Sequence, residues 1–330
     1  MSIIEVEHVT KVYDKGNLRA VNDVTFDVNE GEVFGLLGPN GAGKSTTFKM
    51  LTTLIRPTDG VIRMFGESIA KQPREIRSRI GYVSQQGGLD ESLTAYENLR
   101  WVGKLYHISS SGMERAISDA LETVDLLAVK DRLLYTYSGG MKRRLFIASA
   151  LLHRPKILFL DEPTVGLDLE HRQQLWEALK TLHDRGTTVF ITTHYLEEAD
   201  KLCDRIMIMD SGHSVCIGEP QVLKDQVGGD QIFLSFSSSI SAVDESLLQR
   251  QIQEALPLMS LQQISVGQNG EELRLWVDYA HKHISQLIDW FATRNLHVTS
   301  VRISQPTLDD VMIQYTKRSL ADDKNAAVLV

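Results

Sequence analysis

Residues 38 to 46 read GPNGAGKST, directly after the apolar run Val33 to Leu37 and at the head of a helical pattern from Lys44 to about Leu54. Strand, glycine-rich loop and helix in that order form a cradle for phosphate groups. Gly38, Gly41 and Gly43 let the backbone curl so that successive N–H groups face an anion, and the positive end of the following helix adds to the pull. In that reading Lys44 reaches the β and γ phosphates of a nucleotide and Ser45 ligates Mg²⁺, with Pro39, Asn40, Ala42 and Thr46 completing the loop around them.

Further along, two more short apolar runs, Lys156 to Leu160 and Thr188 to Thr192, are each flanked by helical patterns. Such alternation predicts a mostly parallel sheet covered by helices. Ahead of the loop, residues 3 to 10 and 21 to 28 alternate apolar and polar positions around the turn-like DKGN at 14 to 17, which predicts antiparallel strands. Residues 93 to 152 carry helical periodicity and read as a helical subdomain.

An acidic element and a second phosphate-seeking element follow. KILFLDEP at 156 to 163 is a strand ending in two acids: Asp161 is placed to hold the magnesium, and Glu162 to orient or deprotonate an attacking water. In YSGGM at 137 to 141 Ser138 is a helix N-cap, and Gly139 and Gly140 leave the first turn bare enough for a phosphate to approach. Lys142, Arg143 and Arg144 then oppose the helix dipole, a penalty that an anion at that helix end would offset, while a solvated basic face is the plainer alternative.

The chain has 330 residues, a net charge of −8 and two cysteines, Cys203 and Cys216. The acidic balance argues against nucleic acid as a partner, because that affinity rests on excess Lys and Arg. Neither cysteine has zinc-ligand spacing, and both read as reduced, partly buried thiols of a cytosolic protein. The first residues, MSIIEVEHVTKVYDKG, do not resemble a signal or transit peptide, and no apolar stretch reaches the roughly 18 residues of a membrane span.

After Gly228-Gly229 the texture changes. Strand 231 to 237, helix 243 to 255, strands 260 to 266 and 272 to 278, helix 281 to 294, strand 297 to 304 and a helix from about Thr307 are expected there. The expected division is residues 1 to 225 as one domain, 226 to 318 as an accessory α+β domain of ferredoxin-like βαββαβ order, and 319 to 330 as a disordered tail.

GPNGAGKST, YSGGM, ILFLDEPTVGLD and FITTH together resemble, in content and order, the ATP-binding cassette family over roughly residues 1 to 222. YSGGM and the closing PTLDDVMIQYTKR at 306 to 318 look most like its drug-exporter branch of daunorubicin-resistance and sodium-efflux ATPases. That resemblance implies an α/β P-loop NTPase cassette with an antiparallel β subdomain and a helical subdomain. It implies ATP and Mg²⁺ as ligands, a separate transmembrane permease subunit as partner, and a pair of cassettes, two copies of this chain or one with a related chain, on the cytoplasmic face of a membrane. It also implies that Tyr13 stacks on adenine and that Gln85, with Gln86 as the alternative register, senses magnesium and the γ-phosphate. His194 would contact the γ-phosphate, Asp168 would lie in the loop crossing the dimer interface, and Ser138 with its glycines would complete the other copy's ATP site. His153 and His183 lack such context and read as surface residues. Met141 in place of the usual glutamine, and Ser84 where many relatives carry proline, depart from the pattern. A non-transport cassette acting on ribosomes or DNA, and an importer ATPase with a regulatory C-terminal domain, are the competing classes.

Overall fold

The computed structural model describes residues 1–13, 18–84, 88–227, 229–237, 245–266 and 272–315. They fall into two compact units, one formed by Met1–Pro220 and one beginning at Gln221.

The first unit opens with strands β1 Ser2–Tyr13, β2 Leu18–Asn29 and β3 Val33–Leu37, helix α1 Lys44–Leu51, strands β4 Asp59–Met64 and β5 Glu67–Ser68, helix α2 Pro73–Arg79 and strand β6 Ile80–Val83. Helices α3 Ala95–Leu105, α4 Ser110–Thr123 and α5 Gly139–Leu151 follow, then β7 Ile157–Asp161, α6 Leu169–Asp184, β8 Thr188–Thr193, α7 Leu196–Leu202, β9 Arg205–Asp210 and β10 His213–Gly218. One sheet has the order β2-β1-β4-β5 and is antiparallel; the other has the order β10-β9-β3-β8-β7-β6. In the second sheet β9, β3, β8, β7 and β6 are parallel, and only the edge strand β10 is antiparallel.

Composition accounts for this arrangement. Every residue of β3 and β8 is buried, as expected of parallel strands covered on both faces. β1 and β2 bury alternate positions and present polar ones outward. The two sheets meet through phenylalanines: Phe26 of β2 stacks on Phe34 of β3 at 5.5 Å, Phe34 on Phe190 of β8 at 5.6 Å, and Phe190 approaches Phe159 of β7 at 5.4 Å. Phe48 of α1 meets Phe159 edge-on at 5.8 Å. Fully burying such a ring stabilises by about 2–3 kcal/mol, so the floor under the phosphate loop is among the most strongly packed parts of the chain. Among the described residues no helix is long and apolar enough to cross a membrane.

In the second unit helix α8 Pro220–Val227 leads into β11 Asp230–Phe236, α9 Glu245–Ala255, β12 Leu261–Val266, β13 Glu272–Val277, α10 Ile284–Ala292 and β14 Val298–Ser304, with a last helix over 308–315. The sheet order is β12-β13-β11-β14, antiparallel throughout. Ile232, Leu234, Leu273, Leu275 and Val277 of the strands share one core with Leu248 and Ile252 of α9 and Leu287 and Phe291 of α10, so both helices cover the same face of the sheet.

Candidate nucleotide-binding site

The phosphate loop lies between β3 and α1, at the carboxyl end of a central parallel strand, where helix N-termini and strand ends open a crevice. Gly38 has φ 149° and packs so closely on β9 that a Cβ there would lie 2.2 Å from Met209 O, which no side chain could tolerate. Pro39, Asn40, Gly41 and Ser45 are exposed, Ala42 is buried and Gly43 and Thr46 are half-buried. Lys44 is buried at 5% exposure, and its Nζ donates to Gly38 O at 2.7 Å and Pro39 O at 3.0 Å, folding the ammonium back over the loop. Burial lowers the Lys44 pKa, while Glu162 and then Asp161 pull it back up, so both acids lie within electrostatic range of the loop.

Asp161 closes β7 and pairs with Thr192, the last but one residue of its parallel neighbour β8. Thr192 Oγ1 donates to Asp161 Oδ1 at 2.6 Å and accepts from Glu162 N at 3.0 Å. Asp161 Oδ2 has no hydrogen-bond partner among the described residues. Glu162 has φ 45°, a left-handed conformation that costs a side-chain-bearing residue about 1 kcal/mol or more. It is retained because its N–H is also bonded to Thr192 O at 3.0 Å. That bend turns the carboxylate toward the next strand end, so that Oε1 lies 3.4 Å from His194 Nδ1. His194 is exposed and packs on Tyr195 with ring centroids 4.2 Å apart. Lys44, the adjacent pair Asp161 and Glu162, and His194, from three separate stretches of sequence, therefore form one cluster.

Ser138 caps α5, accepting from Met141 N at 3.2 Å, and its Oγ lies 3.0 Å from His171 Nε2. His171 Nδ1 is 2.6 Å from Asp168 Oδ1, the same oxygen that caps α6 by accepting from His171 N at 2.9 Å. Gly139 is exposed at the helix end, whereas Gly140 lies under the His171 ring, where a Cβ would fall 2.1 Å from Cδ2. Tyr13 ends β1, 37% exposed, with Lys11 Nζ 5.4 Å from its ring centroid. Gln85 and Gln86 lie outside the described residues.

Several groupings correct the sequence reading or went unread. The basic triplet at the head of α5 is not a solvated face. Lys142 pairs with Glu91 at 2.6 Å, and Arg143 and Arg144 are both buried at 7% exposure. Arg143 donates from Nη1 to Ser84 O at 2.6 Å, from Nε to Pro163 O at 2.8 Å, and from Nη2 to Asp161 O at 2.9 Å and Glu162 O at 3.2 Å. One guanidinium thus joins α5 to the segment carrying both acids and to the residue preceding Gln85. Arg144 Nη1 donates to Val124 O at 3.0 Å. His153 is not a surface residue: it is half-buried, stacks on Tyr106 at 4.0 Å and lies 2.9 Å from Ile80 O. His183 is half-buried as well. Thr192, Arg143 and His171 had no local sequence signal, since each is defined by partners distant in sequence.

Comparison with known proteins bears on this cluster directly. A sequence profile of the family described as ABC transporter matches residues 21–165. The linearmycin resistance ATP-binding protein LnrL of Bacillus subtilis is 35% identical over 323 residues, covering 97% of this chain and 100% of that protein. The chain belongs to the ABC transporter family. It is an ATP-binding subunit and an ATPase, and its relatives belong to the export branch. The daunorubicin/doxorubicin resistance ATP-binding protein DrrA of Streptomyces peucetius is 38% identical, covering 98% of this chain and 94% of that one. Among solved structures, cbiO1 of Clostridium perfringens, part of an ABC transporter complex, superposes with a TM-score of 0.64 at 26% identity, over 78% of this chain and 96% of that one. An ATP-binding cassette solved as a dimer in a post-hydrolysis state with ADP and Pi superposes with a TM-score of 0.59 at 28% identity, over 66% of this chain and 98% of that one. ABC ATP-binding subunits of this kind dimerise and work with transmembrane partners.

Proposed function

We propose that two copies of this chain, or this chain and a related cassette, close face to face around two ATP molecules and so drive export through a separate membrane subunit. The observation that carries the reading is the convergence of Lys44, Asp161, Glu162 and His194 at the phosphate loop, while the polar partners of Ser138 are Met141 and His171 rather than any group of that loop. A helix end shaped for an anion, with its own chain's phosphate groups served elsewhere, suits a nucleotide brought by another copy.

In this reading the loop amides and Lys44 hold the triphosphate, Tyr13 stacks on adenine, and Ser138 with Gly139 and Gly140 reaches the γ-phosphate of the other copy's ATP. Asp168 lies where the copies meet. The residues fit a magnesium ion: Ser45 is exposed in the first turn of α1, and Asp161 keeps one carboxylate oxygen open, both being hard oxygen ligands of the kind the ion takes. Gln85 would add a third. When bound, the ion supplies neutralisation of phosphate charge. Glu162 accepts the proton of, or orients, the attacking water, and His194, held beside it, contacts the γ-phosphate. Removing the ammonium in Lys44→Ala should weaken ATP binding itself by about 1.5–3 kcal/mol, the worth of hydrogen bonds to a charged group. Equilibrium titration with labelled ATP checks this; unchanged affinity would exclude Lys44 from the phosphate contact.

The division of labour proposed for the chain is a cassette over residues 1 to 225, an accessory domain over 226 to 318 and a tail beyond. The chain would sit on the cytoplasmic face of the membrane, held by its partner. The surface suited to that partner is a groove of about 310 Å³ bordered by Tyr82, Leu89, Trp101, Leu105 and Phe146. Trp101 and Leu105 are each 59% exposed one turn apart on α3, and the groove is also lined by Ser84, whose carbonyl Arg143 holds. A Trp101→Asp change should abolish capture of the membrane subunit by the tagged chain and leave the ATP titration unchanged. Capture at the parent level would move the docking surface elsewhere.

A further inference from the structure

The arrangement Ser138, His171 and Asp168 raises a question of proton inventory. A serine hydroxyl has one proton and two lone pairs. One lone pair of Ser138 is taken by Met141 N–H at 3.2 Å. Asp168, whose carboxyl is held below its usual range by the His171 backbone N–H and ring, is an acceptor only, so at 2.6 Å the proton between them is on His171 Nδ1. If the ring is neutral, Nε2 is bare, and the Ser138 proton is given to it across 3.0 Å. A phosphate oxygen, which also only accepts, would then meet a hydroxyl with no proton to offer. If both ring nitrogens are protonated, Nε2–H donates to Oγ, and the hydroxyl proton is released outward.

We propose that His171 is a positioning residue for ATP hydrolysis: as an imidazolium clamped between Asp168 and Ser138, it turns the Ser138 hydroxyl toward the γ-phosphate held by the other copy. Closing the sandwich therefore selects the form of the ring that carries a proton on both nitrogens. The inference rests on the cross-subunit role of Ser138 given above. The ring has no freedom to swing aside, because its edge fills the space over Gly140. The charged groups on the two helices that pack here are accounted for. Asp168 is its direct partner, and Glu170 is exposed in the first turn of α6. The Arg172 guanidinium lies 4.7 Å from the Tyr195 ring centroid. On α5, Lys142 is paired with Glu91, Arg143 is turned onto the carbonyls at 84 and 161 to 163, and Arg144 onto Val124 O.

The test uses the full chain carrying Glu162→Gln, so that ATP is bound but not turned over, with magnesium present. The ATP concentration giving half-maximal dimer is measured by light scattering between about pH 6 and pH 8.5, the range in which histidine rings lose their proton. One linked proton makes that concentration rise with pH, by at most about tenfold per unit. Adding His171→Gln should flatten the dependence, because an amide N–H can donate to Ser138 Oγ at every pH. Adding His171→Ala should flatten it too, but at weaker dimerisation throughout. The three proteins differ only at residue 171, so a difference in slope between them belongs to that residue. Thermal melting of each variant shows whether the fold is kept. A slope that survives His171→Gln overturns the proposal while leaving the sandwich intact. No ATP-dependent dimer at any pH, in any variant, overturns the sandwich reading itself and this inference with it.

Discussion

Glu162→Gln should bind ATP at least as tightly as the parent chain, lose turnover by about 10²- to 10⁴-fold, the usual worth of a positioned general base, and accumulate as a closed dimer. The geometry makes the substitution a clean one. Glutamine is isosteric, so the bonds from residue 162 N to Thr192 O and Oγ1 are kept, and with them the left-handed turn that aims the side chain at His194. What disappears is the ability to take a proton from water, together with a negative charge close to where the triphosphate's own charge would sit, which is why affinity should not fall. Phosphate release and dimer content, measured on the same sample with magnesium present, separate the effects. Hydrolysis at the parent rate would remove Glu162 from the catalytic role.

The second large effect is expected at Arg143. Truncation to alanine leaves four backbone carbonyls, those of Ser84, Asp161, Glu162 and Pro163, without the donors they now share, in a site where the guanidinium is only 7% exposed. Leaving a buried acceptor without its donor costs about 1–3 kcal/mol, and several are affected together, so the denaturant midpoint of the cassette should fall markedly. Arg143→Lys is the more telling variant. A compact ammonium on a flexible stem cannot span four acceptors in the plane of a guanidinium fork, so charge is kept and geometry is lost. If stability recovers in the lysine variant while ATP turnover stays depressed, the arginine acts by setting the positions of Asp161 and Glu162; recovery of both would reduce it to a buried cation.

What the sequence made legible here was what is local in it. GPNGAGKST, with a strand before it and a helix after, carries its meaning within about twenty residues, and Asp161 and Glu162 are announced by the apolar strand they terminate. Ser138 as an N-cap is likewise a short-range pattern, and the structure has it accepting from Met141 N. The burial of Arg143 and Arg144 was not legible, because three basic residues at a helix head look alike whether solvated or turned inward. The difference is set for Arg143 by carbonyls contributed from β7 and from the segment after β6, and for Arg144 by the Val124 carbonyl at the end of α4. The placing of His153 is not legible for the same reason: its partners Tyr106 and Ile80 are 47 and 73 residues away, beyond any spacing rule. Thr192 reads as one more β-branched strand residue until β7 and β8 are laid side by side. Strand order in both units is likewise a matter of long-range pairing, on which periodicity is silent.

The left-handed backbone at Glu162 carries one more implication. Glycine alone would relax that turn without steric cost, yet glycine has no carboxyl group to present to water. Comfort and chemistry therefore exclude each other at this position, and the protein resolves the conflict by recruiting Thr192 to hold the uncomfortable shape. Thr192 is in that sense as much a guardian of the reaction as any residue that meets ATP, although it is fully buried and its own hydroxyl is spent on Asp161.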